Sequence, residues 1–138
     1  MSCLFRALAH FVPGDDTNLI RQKICNFLAL NKSFECGTAS EMIQFSENLD
    51  LESYVERMRQ SHVWGGHIEL QTFVELYGLC VVLKSLRQDK TPYEEIIHPR
   101  SGVFKRTIYL TWTGNHYEPD RSRADRSSPE PVRVWSFR

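Results

Sequence analysis

An α+β fold is predicted by the order of two kinds of pattern along the 138 residues. Up to Tyr77, apolar residues recur at three- and four-residue steps, the helical period; from Leu79 onward they form a continuous β-branched run and then an alternating one. Gly78 stands at the change-over, a position suited to a helix stop. Helices first, strands later and no internal repeat give the α+β class, with a small α/β sandwich as the neighbouring option.

The first helix is expected over Ser2–Phe11, with Leu4, Phe5, Leu8 and Phe11 on one face and Ser2 as N-cap, which sets Cys3 in the first turn. Pro13-Gly14-Asp15-Asp16 then reads as a turn. A second helix follows over Asn18–Leu30, capped by Asp16 or Thr17, its stripe made of Leu19, Ile20, Ile24, Phe27 and Leu28. Ser40–Phe45 is expected as a short helix. Asp50 caps another over Leu51–Arg59, where Leu51, Tyr54, Val55 and Met58 share a face. Trp64-Gly65-Gly66 interrupts the chain before a helix over Ile68–Tyr77 with an apolar face of Ile68, Phe73, Leu76 and Tyr77.

"LCVVLKSL" is continuously apolar through its first half and suits a buried strand. Residues 84–105 read as a connection with a short strand near Glu95–Ile97, and "RTIYLTW" as a further strand that Thr113-Gly114-Asn115 turns into His116. Residues 121–131 have the composition of a solvated linker, for which partner binding through Arg121–Arg126 is the alternative. Residues 132–138 form either a terminal strand or a tail. The whole chain is expected to be a single domain, 1–138.

Composition limits the function classes. Lys plus Arg equals Asp plus Glu, 17 against 17, so the basic excess of a nucleic-acid binder is missing. No apolar run approaches the roughly 20 residues of a membrane span, and no signal peptide stands at the start. The four cysteines form no C-x-x-C pair, which removes the usual zinc and dithiol readings. Free thiols in a reducing, intracellular and cytoplasmic setting are expected. Cys25 and Cys80 fall on apolar faces and read as core, Cys36 as an exposed but unactivated thiol, and His10, His62, His67 and His98 as structural or surface residues.

Cys3 and His116 remain as candidates for chemistry. Free N–H groups and partial positive charge gather at a helix N-terminus and favour a thiolate there. A nucleophilic cysteine further needs an imidazole, distant in sequence but near in space, and a group that orients the imidazole. His116 at a strand end meets the first need, and Glu118 or Asp120 the second. On composition alone a lone cysteine is more often an inert packed thiol.

Three blocks in series change that balance. "SCLFRAL", "WGGHIELQTFVELYGLCVVL" and "IYLTWTGNHYEPD" resemble the ovarian tumour (OTU) family of papain-type cysteine proteases, whose pattern runs D-G-x-C-L-F-R-A, then W-G-G-x-x-E-L before a strand, then a strand ending in G-x-H-Y-[DNE]. "LIRQKICNFLALN" and "LESYVERMRQSHVWGG" add weaker similarity, so the likeness spans about residues 2–120. It implies helices packed around a small central sheet. The implied activity is a thiol-dependent deubiquitinase that cuts isopeptide or peptide bonds after the C-terminal Gly of ubiquitin or a related modifier, without metal or organic cofactor.

By position, Cys3 corresponds to the nucleophile, His116 to the base and acid, and Glu118 to the residue that orients it, with Asp120 as runner-up. The Ser2 and Cys3 amides correspond to oxyanion donors. Trp64, Gly65, Gly66, Asn115 and Tyr117 are candidate substrate contacts. Against that, the glycines also suit a tight turn into the next helix with Trp64 packed, and Glu69 suits the dipole of that helix. Ubiquitin conjugates are the implied partners and a monomer is expected. A pathogen effector acting in host cytoplasm, an inactive OTU-like ubiquitin-binding module and a viral or bacterial polyprotein protease are the alternatives.

One departure is informative. The Asp-Gly that precedes the nucleophile in the family is not found in the two residues before Cys3. Loss of an oxyanion donor costs roughly 3–4 kcal/mol. Three accounts stand: a shortened chain, the Ser2 and Cys3 amides sufficing, or a circular permutation in which "PVRVWSFR" supplies the missing strand. The third is favoured, because that segment has no other assigned place.

Overall fold

A computed structural model describes residues 3–30, 51–86, 89–114 and 116–120, with short strand pairings at 33–34, 37–38 and 126–127. Four helices come first in these residues: α1 (Cys3–Ala9), α2 (Thr17–Leu30), α3 (Leu51–Met58) and α4 (His67–Tyr77). Strands β1 (Ser33–Phe34) and β2 (Gly37–Thr38) form a separate antiparallel pair. The main sheet holds β3 (Cys80–Leu86), β4 (Pro92–Ile97), β5 (Arg106–Trp112), β6 (Tyr117–Pro119) and β7 (Arg126–Ser127).

The sheet order is β4-β3-β5-β6, with β7 also on β5. β3 runs antiparallel to β4 and parallel to β5, in the register Val81 to Ile97 and Val81 to Ile108. β6 returns antiparallel along the far end of β5, Trp112 opposite Tyr117. β7 pairs with the near end, so the stretch read as a linker rejoins the sheet at Arg126–Ser127. The expected short helix at 40–45, the caps Ser2 and Asp50, Cys36 and the terminal segment 132–138 lie outside the described residues.

β3 reads as continuously apolar because both its faces are buried. Val81 and Leu83 join Ile97, Ile108 and Leu110 in one core with the helices, while Cys80 and Val82 are buried on the other face. From the helices, Phe5, Leu8, Ile20, Ile24, Leu28, Leu70 and Phe73 enter that core with no exposed surface. The α4 face therefore centres on Leu70, Phe73 and Val74, whereas Ile68, Leu76 and Tyr77 lie at its border.

α1 is shorter than the Ser2–Phe11 periodicity predicts. His10, Phe11 and Val12 bond back three residues, to Ala7, Leu8 and Ala9, and this tightened turn leads into Pro13. Asp16 caps α2, its Oδ1 accepting from the Leu19 amide at 2.7 Å. Gly78 closes α4 at φ 66°, where a side chain would be strained, and its amide bonds to Val74 O. β4 is twice the expected length, pairing from Pro92 to Ile97 across a turn in which Asp89 Oδ1 accepts from the Thr91 amide. Five of its six residues are exposed, which removes the apolar pattern by which a strand is read.

Candidate active site

α1 carries Cys3 as its first residue, half-buried, while Leu4, Phe5, Ala7 and Leu8 bury the opposite side of the helix. Gly65 makes this close packing possible. A Cβ there would lie 2.9 Å from two ring carbons of Phe5 and 3.0 Å from Leu4 Cδ2. Over the same ring, the Arg21 guanidinium carbon lies 4.3 Å from the Phe5 centroid. The nucleophile candidate thus begins a short helix braced by these contacts.

The second wall is β6. In an antiparallel ladder, successive amides point to opposite edges. The Thr113 amide donates to His116 O at 3.0 Å and the Asp120 amide to Tyr109 O at 2.9 Å, which fixes the even-numbered residues onto β5. The Tyr117 amide is out of step with them, points away from β5 and donates to Cys3 Sγ at 3.5 Å. A contact spanning 114 residues of sequence is made by a backbone group that every non-proline residue possesses.

His116 immediately precedes β6 and Glu118 lies within it, two residues on and on the same face. Their Nε2 and Oε2 atoms are 3.5 Å apart, with side chains 49% and 53% exposed. An exposed pair of this kind adds at most about 1 kcal/mol to stability, so its value is in fixing the ring. With Nε2–H directed to the carboxylate, Nδ1 is the nitrogen that keeps a lone pair for a proton. Asp120, the runner-up, is anchored by its amide to Tyr109, and the carboxylate that pairs with His116 is Glu118.

A cavity of about 500 Å³ opens between the walls, lined by Cys3, Arg6, His10, His116, Tyr117 and Glu118 among others. His10, read from sequence as structural or surface, belongs to this lining; its position seven residues after Cys3 on one helix face is the signal that sequence reading passed over. Tyr117 stacks at a tilt on Trp112, centroids 4.5 Å apart. Burial first, and the nearby Cys3, Glu69 and Glu95 charges after it, push its phenol up to about 12. Tyr117 is thus a neutral wall at working pH, not a base.

The Trp64-Gly65-Gly66 turn is not among the residues lining this cavity. Trp64 is 58% exposed instead of packed, and Gly66 has open space where a Cβ would stand. Glu69 is buried; its Oε1 accepts from the Gly66 amide at 2.7 Å and its other oxygen takes a short hydrogen bond from the Tyr54 hydroxyl. His98 is buried at the end of β4 with Nδ1 2.7 Å from Pro99 O, and His62 and His67 are exposed. Ser2 and Asn115 lie outside the described residues. Among those described, no group of three or more His, Cys, Asp or Glu side chains is placed to hold a metal ion, and no helix is long and apolar enough to cross a membrane.

Known proteins with a similar sequence or fold carry ovarian tumour domains. The OVARIAN TUMOR DOMAIN-containing deubiquitinating enzyme 10 of Arabidopsis thaliana is 29% identical over 142 aligned residues, covering 99% of this chain and 37% of the relative. The OTU domain-containing protein 5-A of Xenopus laevis is 31% identical over 79 residues, 56% of this chain and 14% of the relative. A solved ovarian tumour domain in complex with ubiquitin superposes with a TM-score of 0.68 at 15% identity, covering 94% of this chain and 70% of that one. The chain is similar in sequence to these OTU deubiquitinases and has the fold of an ovarian tumour (OTU) domain. No family model matches it. The chain spans well under half the length of the two curated relatives, and its sheet and helices have the OTU architecture.

Proposed function

We propose that this OTU domain is a cysteine protease that hydrolyses isopeptide or peptide bonds after the C-terminal Gly of ubiquitin or a ubiquitin-like modifier. The observation that carries the reading is the meeting of Cys3, His116 and Glu118 on one cavity, from opposite ends of the described chain. Ubiquitin as partner is supported by the relatives named as deubiquitinating enzymes and by the superposed OTU domain solved with ubiquitin.

In the proposed reaction His116 Nδ1 takes the Cys3 proton, and the Tyr117 amide stabilises the thiolate. The sulfur attacks the carbonyl carbon of the terminal glycine. The tetrahedral intermediate collapses as His116 passes its proton to the leaving amine, and a thioester remains on Cys3. Water, deprotonated by the same imidazole, then attacks the thioester carbonyl; the glycine carboxylate leaves and the thiol recovers its proton. Glu118 holds the ring and compensates the imidazolium. Tyr117, which lines the cavity, is assigned to the substrate tail, and Gly65 to packing of the nucleophile helix. Ser2 and Cys3 amides are the proposed oxyanion donors.

Ubiquitin carrying an electrophile at its C-terminus tests the reading. A covalent adduct on the wild-type chain, absent from Cys3→Ala, is expected. Binding without adduct formation would replace this reading with an inactive ubiquitin-binding module.

A further inference from the structure

Arg21 is the largest side chain buried throughout the core, 1% exposed, and the reaction outlined above leaves it unused. Its Nη1 donates to Met58 O at 2.6 Å; its Nη2 donates to Ser61 O at 3.2 Å and Val63 O at 2.8 Å. Three carbonyls of the segment that leads from α3 into Trp64-Gly65-Gly66 therefore converge on one guanidinium. Its Cζ lies over the Phe5 ring of α1, 4.3 Å from the centroid, and Gly65 packs against the same ring. Beside it on α2, Gln22 exchanges hydrogen bonds with Arg59, at 3.0 Å to the backbone oxygen and 2.9 Å between side chains.

A buried cation is a poor way to fill a core. Burial disfavours its charged form and lowers its pKa, and an apolar side chain of similar volume packs such a site as well or better. What an apolar residue lacks is the fork. Arg presents several N–H donors in one rigid plane and a flat face that stacks on an aromatic ring, whereas Lys offers a single point charge on a flexible stem.

We propose that Arg21 is a positioning residue that sets the 58–66 segment against the Cys3 helix, so that the substrate tail meets the nucleophile at attack distance. The inference rests on the deubiquitinase reading above. It assigns to Arg21 an alignment between two elements, not the reactivity of the thiol and not bulk stability.

Arg21→Lys separates these roles. Three readouts are needed on the full chain: the rate of capture by ubiquitin bearing a C-terminal electrophile, the rate of Cys3 alkylation by iodoacetamide, and the thermal unfolding midpoint. Capture requires both elements in register, while alkylation requires only an accessible thiol. Arg21→Lys, assayed well below its midpoint, is expected to lose at least tenfold in capture with alkylation within twofold of wild type. Capture within twofold of wild type, or parallel loss of both rates, would overturn the inference. If Arg21→Lys does not fold, Phe5→Leu decides, since it removes the stacking ring and keeps an apolar side chain: the same split supports the inference and its absence overturns it. Failure of wild type to be captured would sink the deubiquitinase reading instead, a distinguishable result.

Discussion

The two walls that meet at Cys3 are built on opposite plans. On one side α1 is anchored through Leu4, Phe5 and Leu8, none more than 1% exposed, with Gly65 and Arg21 in direct contact with Phe5. On the other side His116 stands just before a three-residue edge strand and Glu118 on it, about half exposed and joined by a 3.5 Å contact. The nucleophile wall is held by packing, where small volume changes are felt, and the base wall by hydrogen bonds that water can replace. Damage to the first wall is therefore expected in stability and activity together, and damage to the second in activity alone.

Cys3 lies at the junction and gives the largest effect. Cys3→Ala is expected to lower hydrolysis of a fluorogenic ubiquitin amide on the order of 10⁴-fold or more. Its thermal midpoint should remain close to wild type, because the thiol is only half-buried. Retained turnover would move the chemistry elsewhere and dissolve the contrast between the walls. Next comes Phe5→Ala, which empties a fully buried ring site between Gly65 and Arg21. A loss of about 3–5 kcal/mol in urea unfolding is expected. A loss below about 1 kcal/mol would show that α1 is not braced as described.

Adjacent glycines sharpen the same contrast. Gly65→Ala drives a methyl to 2.9 Å from the Phe5 ring, so a cost of about 1–3 kcal/mol and slower ubiquitin capture are expected. Gly66→Ala meets nothing within 4 Å and occupies the N-cap of α4. Its cost should be about 1 kcal/mol or less. Equal effects at the two sites, measured by urea midpoints, would argue that the turn as a whole matters and not the contact with α1.

How far this asymmetry was legible in the sequence depends on the wall. Helix periodicity places Leu4, Phe5 and Leu8 in the core, and the Cys3, Trp64-Gly65-Gly66 and His116 blocks carry the resemblance to OTU domains. Arg21 went unread although its signal was present: Ile20, Ile24, Cys25 and Leu28 are buried on one stripe of α2, and Arg21 falls inside that stripe. A charged residue there is usually discounted as solvated. β4 is only half legible because its exposed residues carry no apolar alternation, and β6 is not legible because three residues hold no period. The contact from Tyr117 to Cys3 was beyond any reading of side chains, since it belongs to the backbone.

Proton linkage probes the packed wall without a substitution at the site. Cys25 is fully buried on α2, and desolvation holds its thiol up at about 11 against the ordinary 9.0. Between those values the unfolded chain loses this proton first, so the folded state binds more protons and stability falls as pH rises. A decline of about 2 kcal/mol across that window is expected. Thermal midpoints measured from pH 8 to 11 should flatten in Cys25→Ala relative to wild type. In the same range iodoacetamide should modify Cys3 well before Cys25, and the reverse order would contradict the burial of Cys25.

The smallest effect is expected on the exposed wall, at Glu118. Glu118→Gln keeps length and hydrogen-bonding capacity but removes the charge that faces His116 Nε2 at 3.5 Å. Urea stability should change by less than about 0.5 kcal/mol, because a half-exposed ion pair contributes little. Hydrolysis of the fluorogenic amide should nevertheless fall about tenfold, as the amide still orients the ring but no longer compensates the imidazolium formed during attack. Asp120→Asn serves as the comparison, since Asp120 is anchored to Tyr109 through its amide and a side-chain change leaves that anchor intact. If Asp120→Asn impairs turnover more than Glu118→Gln, the orienting role passes to Asp120. The base wall would then be organised by the end of β6 instead of by its exposed face.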